Sequence, residues 1–423
     1  MDNFLPIVVT LLLFVVLLGF LNEKFTKITY EIALMLFSVI IGMGCLVVGD
    51  YFHVAPVQKF VVFLRKIDLD AFLMEGVLCF MLFAGSCHMK LLNFKKHARI
   101  ISLLAIGATL LGAVFYGLLF YGASLLLNFG ASLPVCLMFG SITAPTDPIA
   151  ATSILKKFNL PKQIGFIIEG ESLLNDGVGV ALFVCFSSMV TAEEGGGFFA
   201  VMFRELFGAV AVGLVVSILC FQIFKKTSST SRRIYTSLLA ISLSYVVCEY
   251  FEFSGAIASV VCGVMFSALR NLQASKGNIM ELAEFDAFWD ILDNLLNSVL
   301  YVLLGLSFLH ILQMSNVLIV SVLVVIFNLI GRFGSVGIAS LFAGQLPDGY
   351  DKLSFTKLLT WGGLRGGLCV ALAMSTYNML PDTVYHLVLG GTYAIVFFTT
   401  IVQGITMQKV YQGIEAKMEG KKI

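Results

Sequence analysis

Thirteen stretches of this chain are apolar over roughly 17 to 28 residues, the length that an α-helix needs to cross the hydrocarbon of a bilayer. They run about 5–21, 29–49, 71–89, 99–127, 131–154, 164–190, 199–224, 234–251, 254–270, 288–312, 316–343, 354–379 and 384–408. Charged residues make up only 13% of the 423 positions, where a soluble domain carries about a quarter. The expectation is an all-α polytopic membrane protein of about 13 transmembrane helices. Two further stretches read as surface helices. One is 51–70, which mixes apolar and basic residues as an interfacial helix does; the other is 271–287.

Composition excludes several classes. A net charge of +1 provides no bulk field to attract nucleic acid. The nine cysteines form no C-x-x-C pair and lie mostly inside apolar segments. They read as membrane-embedded packing groups rather than disulfides or metal ligands. The N-terminus, MDNFLPIVV, has no positive n-region and no cleavage site, so the first segment reads as an uncleaved span.

Direction follows from the basic residues, which favour the cytoplasmic side. With the N-terminus outside and thirteen spans threaded, 21 of the 27 Lys and Arg fall inside. Four fall outside (Lys59, Arg65, Lys66 and Arg204), and Arg332 and Arg365 lie within the membrane. One miscounted middle span would scramble this split. The reading therefore places the C-terminus in the cytoplasm, with a tail too short for a soluble regulatory domain.

Ionisable groups inside spans are costly and usually functional. Segment 3 carries Glu75, and segment 5 carries Thr143, Pro145, Thr146, Asp147 and Pro148 in SITAPTDPIAATS. Segment 6 carries Glu171, Ser172, Asn175 and Asp176. Arg332 lies in segment 11, and Arg365 lies in TWGGLRGGLCVALA of segment 12. Segments 5 and 12 should be broken helices. Two prolines remove backbone donors in the first, and Gly362, Gly363, Gly366 and Gly367 weaken the second. Broken backbone at membrane depth is tolerated where it lines a cavity or is covered by protein, and it marks transporter binding sites. Segment 12 is fifth if counting restarts at segment 8. Two six-helix units joined by segment 7 would thus run in opposite directions, as inverted repeats.

The stretch EGESLLNDGVGVALF supplies the site. Ser172 and Asp176 are four apart on one helix face, and Glu171 and Asn175 are likewise four apart. Asp176 is twelve residues from the inner end near Ile164, about 18 Å along the axis and near mid-bilayer. Gly170, Gly177 and Gly179 allow neighbouring helices to approach closely. A hard monovalent cation needs oxygen ligands. Asp176 offers a carboxylate, Ser172 a hydroxyl, and the break in segment 5 freed carbonyls and Thr146. A carboxylate enclosed in low dielectric also binds a proton more tightly. One acid that holds either a proton or a cation is an exchanger. Asp147 would compensate a positive half-helix end. Glu171 would pair with Arg332, because a lone buried charge is very costly. Arg365 reads as an ion-pair or dipole-compensating group.

These same motifs resemble those of the bacterial NhaP-type sodium/proton antiporters and, more distantly, the eukaryotic sodium/hydrogen exchangers. The matching runs are TAPTDPIA, EGESLLNDGVGVALF, FWDILDNLLNSVLYVLLGLSF and WGGLRGGLCVALA, spread over about 140–375. The resemblance implies thirteen spans and a homodimer. It implies a dimerisation part at about 1–89 and 234–312, a moving core at about 99–190 and 316–408, and a linking helix at 199–224. Within the core, the broken helices of segments 5 and 12 would cross. It carries Asp176 over as ion and proton carrier with Asn175 beside it, completes the site with Thr146, Ser172 and Glu171, and pairs Arg332 with Glu171. An Asn-Asp pair goes with electroneutral exchange in relatives. One departure is Ala84, where relatives carry an acid in segment 3. The partner of a core arginine, Arg365, would then be missing, and Glu75 lies nine residues away.

The expected function is antiport of sodium or lithium against protons in a bacterial inner membrane, without a cofactor, in support of pH and salt homeostasis. A potassium/proton antiporter would use the same site. A gated cation channel is the rival of a different class, but no TVGYG-like filter is present. Neither H-E-x-x-H nor G-x-S-x-G occurs, which argues against an intramembrane enzyme.

Overall fold

The computed structural model of the chain describes residues 4–26, 28–48, 57, 77–87, 91–147, 161–191, 198–275, 282–307, 317–344 and 346–419. Helix follows the apolar segments, as it must where lipid offers the backbone no hydrogen-bond partner. α1 (Phe4–Leu21) and α2 (Tyr30–Leu46) precede α3 (Leu78–Cys87). α4 (Leu91–Ser102) passes through a π-helical stretch, Leu103–Ala108, into α5 (Thr109–Leu127). Then come α6 (Leu133–Thr143), α7 (Lys162–Thr191), α8 (Phe198–Lys226), α9 (Thr230–Tyr250), α10 (Gly255–Ser275), α11 (Ala283–Ser307) and α12 (Val317–Phe342). α13 (Lys352–Trp361) and α14 (Gly367–Ser375) share one apolar segment. α15 (Asp382–Phe397) runs through a second π-helical stretch, Phe398–Gln403, into α16 (Gly404–Glu419). No strand occurs among the described residues. Eight helical stretches among them are long and apolar enough to cross a membrane.

The outer faces confirm the solvent. Leu5, Val16, Leu219, Val246 and Ile291 are each more than 60% exposed, an apolar surface that suits lipid and not water. Inside, one large apolar core runs through α5, α6, α7, α12, α14 and α15. Phe139 of α6 sits edge-on to Tyr116 and Phe120 of α5, with centroids 5.0 and 4.9 Å away. A second cluster joins α3, α8, α9, α10 and α11 around Phe83, Phe221, Phe266 and Trp289.

Several boundaries differ from the sequence reading. The stretch 271–287 is not a separate surface helix where it is described: its start belongs to α10 and its end to α11. Arg270 of α10 lies 2.9 Å from Asp286 of α11, so the two helix ends are held together across the connection. The last helix continues past 408 to Glu419. The expected interfacial helix at 51–70 and the site candidate Glu75 lie outside the described residues. All nine cysteines are free thiols, eight of them buried.

Candidate ion site

The site begins where α6 stops. Pro145 has no N–H to continue the ladder, and its ring clashes with the preceding turn. Helix therefore ends at Thr143, and Ala144 to Asp147 run on without helical structure. The second half of this segment, including Pro148, lies outside the described residues. The break leaves carbonyls without intrahelical partners, and in the membrane interior these need donors. Arg365 supplies them. Its Nη1 donates to the carbonyl oxygens of Ala144 and of Pro145, the latter at 2.7 Å. A guanidinium there also faces the negative end of the α6 dipole.

Segment 12 is broken as expected, between Trp361 and Gly367. The two breaks are bonded to each other: the Asp147 amide donates to the Leu364 carbonyl at 2.8 Å. The Asp147 side chain lies against Gly366, the residue that caps α14. A Cβ on Gly366 would run into the Asp147 carboxylate, so only glycine permits this approach. A carboxylate at that point faces the positive end of the second half-helix. The opposed breaks thus carry one compensating charge each, Arg365 for the C-terminal end of α6 and Asp147 for the N-terminal end of α14.

α7 lies alongside and supplies oxygens. The Thr146 amide donates to Asn175 Oδ1 at 3.2 Å, and Asn175 Nδ2 donates to Thr146 Oγ1 at 2.8 Å. The hydroxyls of Thr146 and Ser172 are 2.7 Å apart. Gly179 lets Pro145 sit directly on α7, since a Cβ there would overlap the proline ring. Asp176 is buried one turn beyond Ser172, and it makes no hydrogen bond among the described residues.

Glu171, fully buried, lies 2.6 Å from Arg332 Nη1. The expected pair is therefore present, joining α7 to α12. Sequence reasoning missed Asn328, whose Oδ1 accepts from Arg365 Nη2 at 3.1 Å. A polar group one turn before Arg332 in an apolar helix was its available signal. It also missed Tyr301, whose hydroxyl donates to Asp147 Oδ2 at 2.5 Å, and Thr399 and Thr400, which hold the Arg365 backbone. No residue pattern marked those three. Ala84 is buried among Phe83, Phe266 and Trp289. The carbonyls at the break and Asn328 take the Nη1 and Nη2 donors of Arg365, while its Nε has no hydrogen-bond partner among the described residues.

Two breaks bonded to each other beside a buried carboxylate, in an all-helical membrane chain, define a secondary transporter and not an enzyme. The chain belongs to the sodium/hydrogen exchanger family, whose transmembrane pattern matches residues 9–412. It is 28% identical to the Na(+)/H(+) antiporter NhaP of Pseudomonas aeruginosa, over 97% of both chains. It is 31% identical to the Na(+)/H(+) antiporter NhaH of Halobacillus dabanensis, over 65% of this chain and 68% of that one. Its fold is similar to that of the sodium proton antiporter from Methanocaldococcus jannaschii, with a TM-score of 0.73 at 20% identity over 96% of this chain and 97% of that one. The family is one of cation/proton antiporters, and the resemblance carried by segments 5, 6, 10 and 12 is confirmed.

Proposed function

We propose that this protein expels sodium, or lithium, in exchange for protons, one for one, by competition of the two at Asp176. One observation carries the reading: a carboxylate buried beside the crossing without a hydrogen bond or ion pair among the described residues. Such a group is very unfavourable in the membrane interior unless something neutralises its charge. A proton does so, and so does a cation that also takes the Thr146 and Ser172 oxygens; both cannot bind at once. Asn175 orients Thr146, the Glu171–Arg332 pair braces α7 against α12, and Arg365 and Asp147 stabilise the two breaks.

Around this site we place thirteen crossings in inverted repeats, an outside N-terminus, and a cytoplasmic C-terminus in a bacterial inner membrane. The core of about 99–190 and 316–408 would move against a dimerisation part of about 1–89 and 234–312, with 199–224 linking them. The excess of basic residues on one side supports the orientation.

The test uses inside-out vesicles with an imposed pH gradient, to which sodium, lithium or potassium is added separately. Sodium or lithium should collapse the gradient, and Asp176→Asn should abolish the response. Competition also requires that the half-saturating cation concentration fall as pH rises, because fewer protons then contest the carboxylate. A response to potassium alone would replace the cation. A membrane potential generated by exchange would refute the one-for-one ratio, and full activity in Asp176→Asn would overturn the site.

A further inference from the structure

We propose that Glu205 is a second proton-binding site, separate from the ion site, which gives the contact between α7, α8 and α9 its own response to pH. Glu205 lies near the start of α8 and is only 6% exposed. It makes no hydrogen bond or ion pair among the described residues. Ala209, one turn further along the same face, belongs to an apolar cluster with Ala181 of α7, Cys248 of α9 and Ala258 of α10, against which Leu206 and Phe253 pack. Gly208 is part of this seam, since a Cβ there would overlap the Phe253 ring. The charged and titratable groups near Glu205 among the described residues are Arg204, Glu249, Glu252 and the thiols of Cys185 and Cys248. None of them pairs with it. Arg204 turns its guanidinium to Glu252 at 2.8 Å, with both of those side chains more than half exposed. Glu249 is itself exposed and carries the same sign of charge. An ionised carboxylate in such a seam is very costly unless something cancels its charge. A hard cation would need several oxygen ligands, whereas the side chains that build the seam offer methyl, methylene, ring and thiol groups. A proton needs no further ligand. The site is independent of the antiport reading, because α8 takes no part in the two breaks.

In water a glutamate is ionised at neutral pH, so unfolding releases the proton that Glu205 holds. Raising the pH therefore favours unfolding until the buried acid also gives up its proton. The experiment is thermal unfolding of the purified protein in detergent as a function of pH, in an Asp176→Asn background that removes the ion site's own acid. The melting temperature should fall as the pH is raised from mildly acidic to alkaline, and Glu205→Gln should remove part of that fall. Glu205→Met, which fills similar space without a charge, should do the same. Glu252→Gln, which alters an exposed acid already paired with Arg204, should leave the fall as it is. Added sodium should stabilise the protein with Glu205 no more than it stabilises Glu205→Gln. Identical pH dependence with and without Glu205, or a sodium-dependent stabilisation that needs Glu205, overturns the inference. Failure of both the Gln and the Met variants to fold at any pH would show that the carboxylate is needed as a charge, and overturns it as well.

Discussion

At the scale of single residues, the site separates charges that are paired or bonded to backbone from Asp176. Arg365, Asp147, Glu171 and Arg332 all have partners within the protein. Asp176 makes no hydrogen bond or close ion pair among the described residues, and the proposed function gives it the cargo for that reason. The Glu171–Arg332 pair makes a test of this division. Glu171→Gln strands a guanidinium in the core and should lower stability by about 3–5 kcal/mol, seen as a drop in melting temperature in detergent. Adding Arg332→Gln should recover part of that loss, since the lone charge is gone. A double variant less stable than the single one would show that the arginine has a further essential partner.

The element scale is set by the two breaks. α6 ends because of Pro145, and α13 ends in a run of glycines, but neither break is stable by itself in lipid. Each is completed by the other, through Arg365 on the carbonyls of Ala144 and Pro145 and through the Asp147 amide on Leu364. Close packing against α7 is part of the same assembly. Gly179→Ala places a methyl group against the Pro145 ring and should cost about 1–3 kcal/mol by overpacking. Because the strain falls on Pro145, it should also weaken cation-dependent proton movement in vesicles. Gly44→Ala, where a Cβ meets nothing within 4 Å, serves as the matched control and should leave exchange unchanged.

For the whole molecule, the prediction concerns direction. In the proposed orientation, which the asymmetry of Lys and Arg supports, the C-terminal end of α16 lies in the cytoplasm. With the native cysteines replaced, Lys417→Cys should react with a membrane-impermeant maleimide in inside-out vesicles and stay unlabelled in right-side-out cells. The opposite pattern would invert the topology and, with it, the side from which Asp176 takes its cation.

Much of this was legible in the residues. Segment lengths determined an all-helical membrane chain, because a bilayer admits few other backbones. Proline and glycine placement determined where two helices would break, because both act on their own turn. The oxygen stripe of Ser172, Asn175 and Asp176 followed from helical spacing, and the Glu171–Arg332 pair from the cost of a lone buried charge. Those are local rules or strong energetic demands. Tertiary structure alone decided which groups close the breaks. That Arg365 caps α6 through backbone carbonyls depends on the approach of chain segments more than 200 positions apart. That Tyr301 reaches Asp147 depends on how α11 packs against α14. Backbone carbonyls and a lone phenol in an apolar run carry no signature in the sequence, and their roles arise only when packing brings them within hydrogen-bond distance.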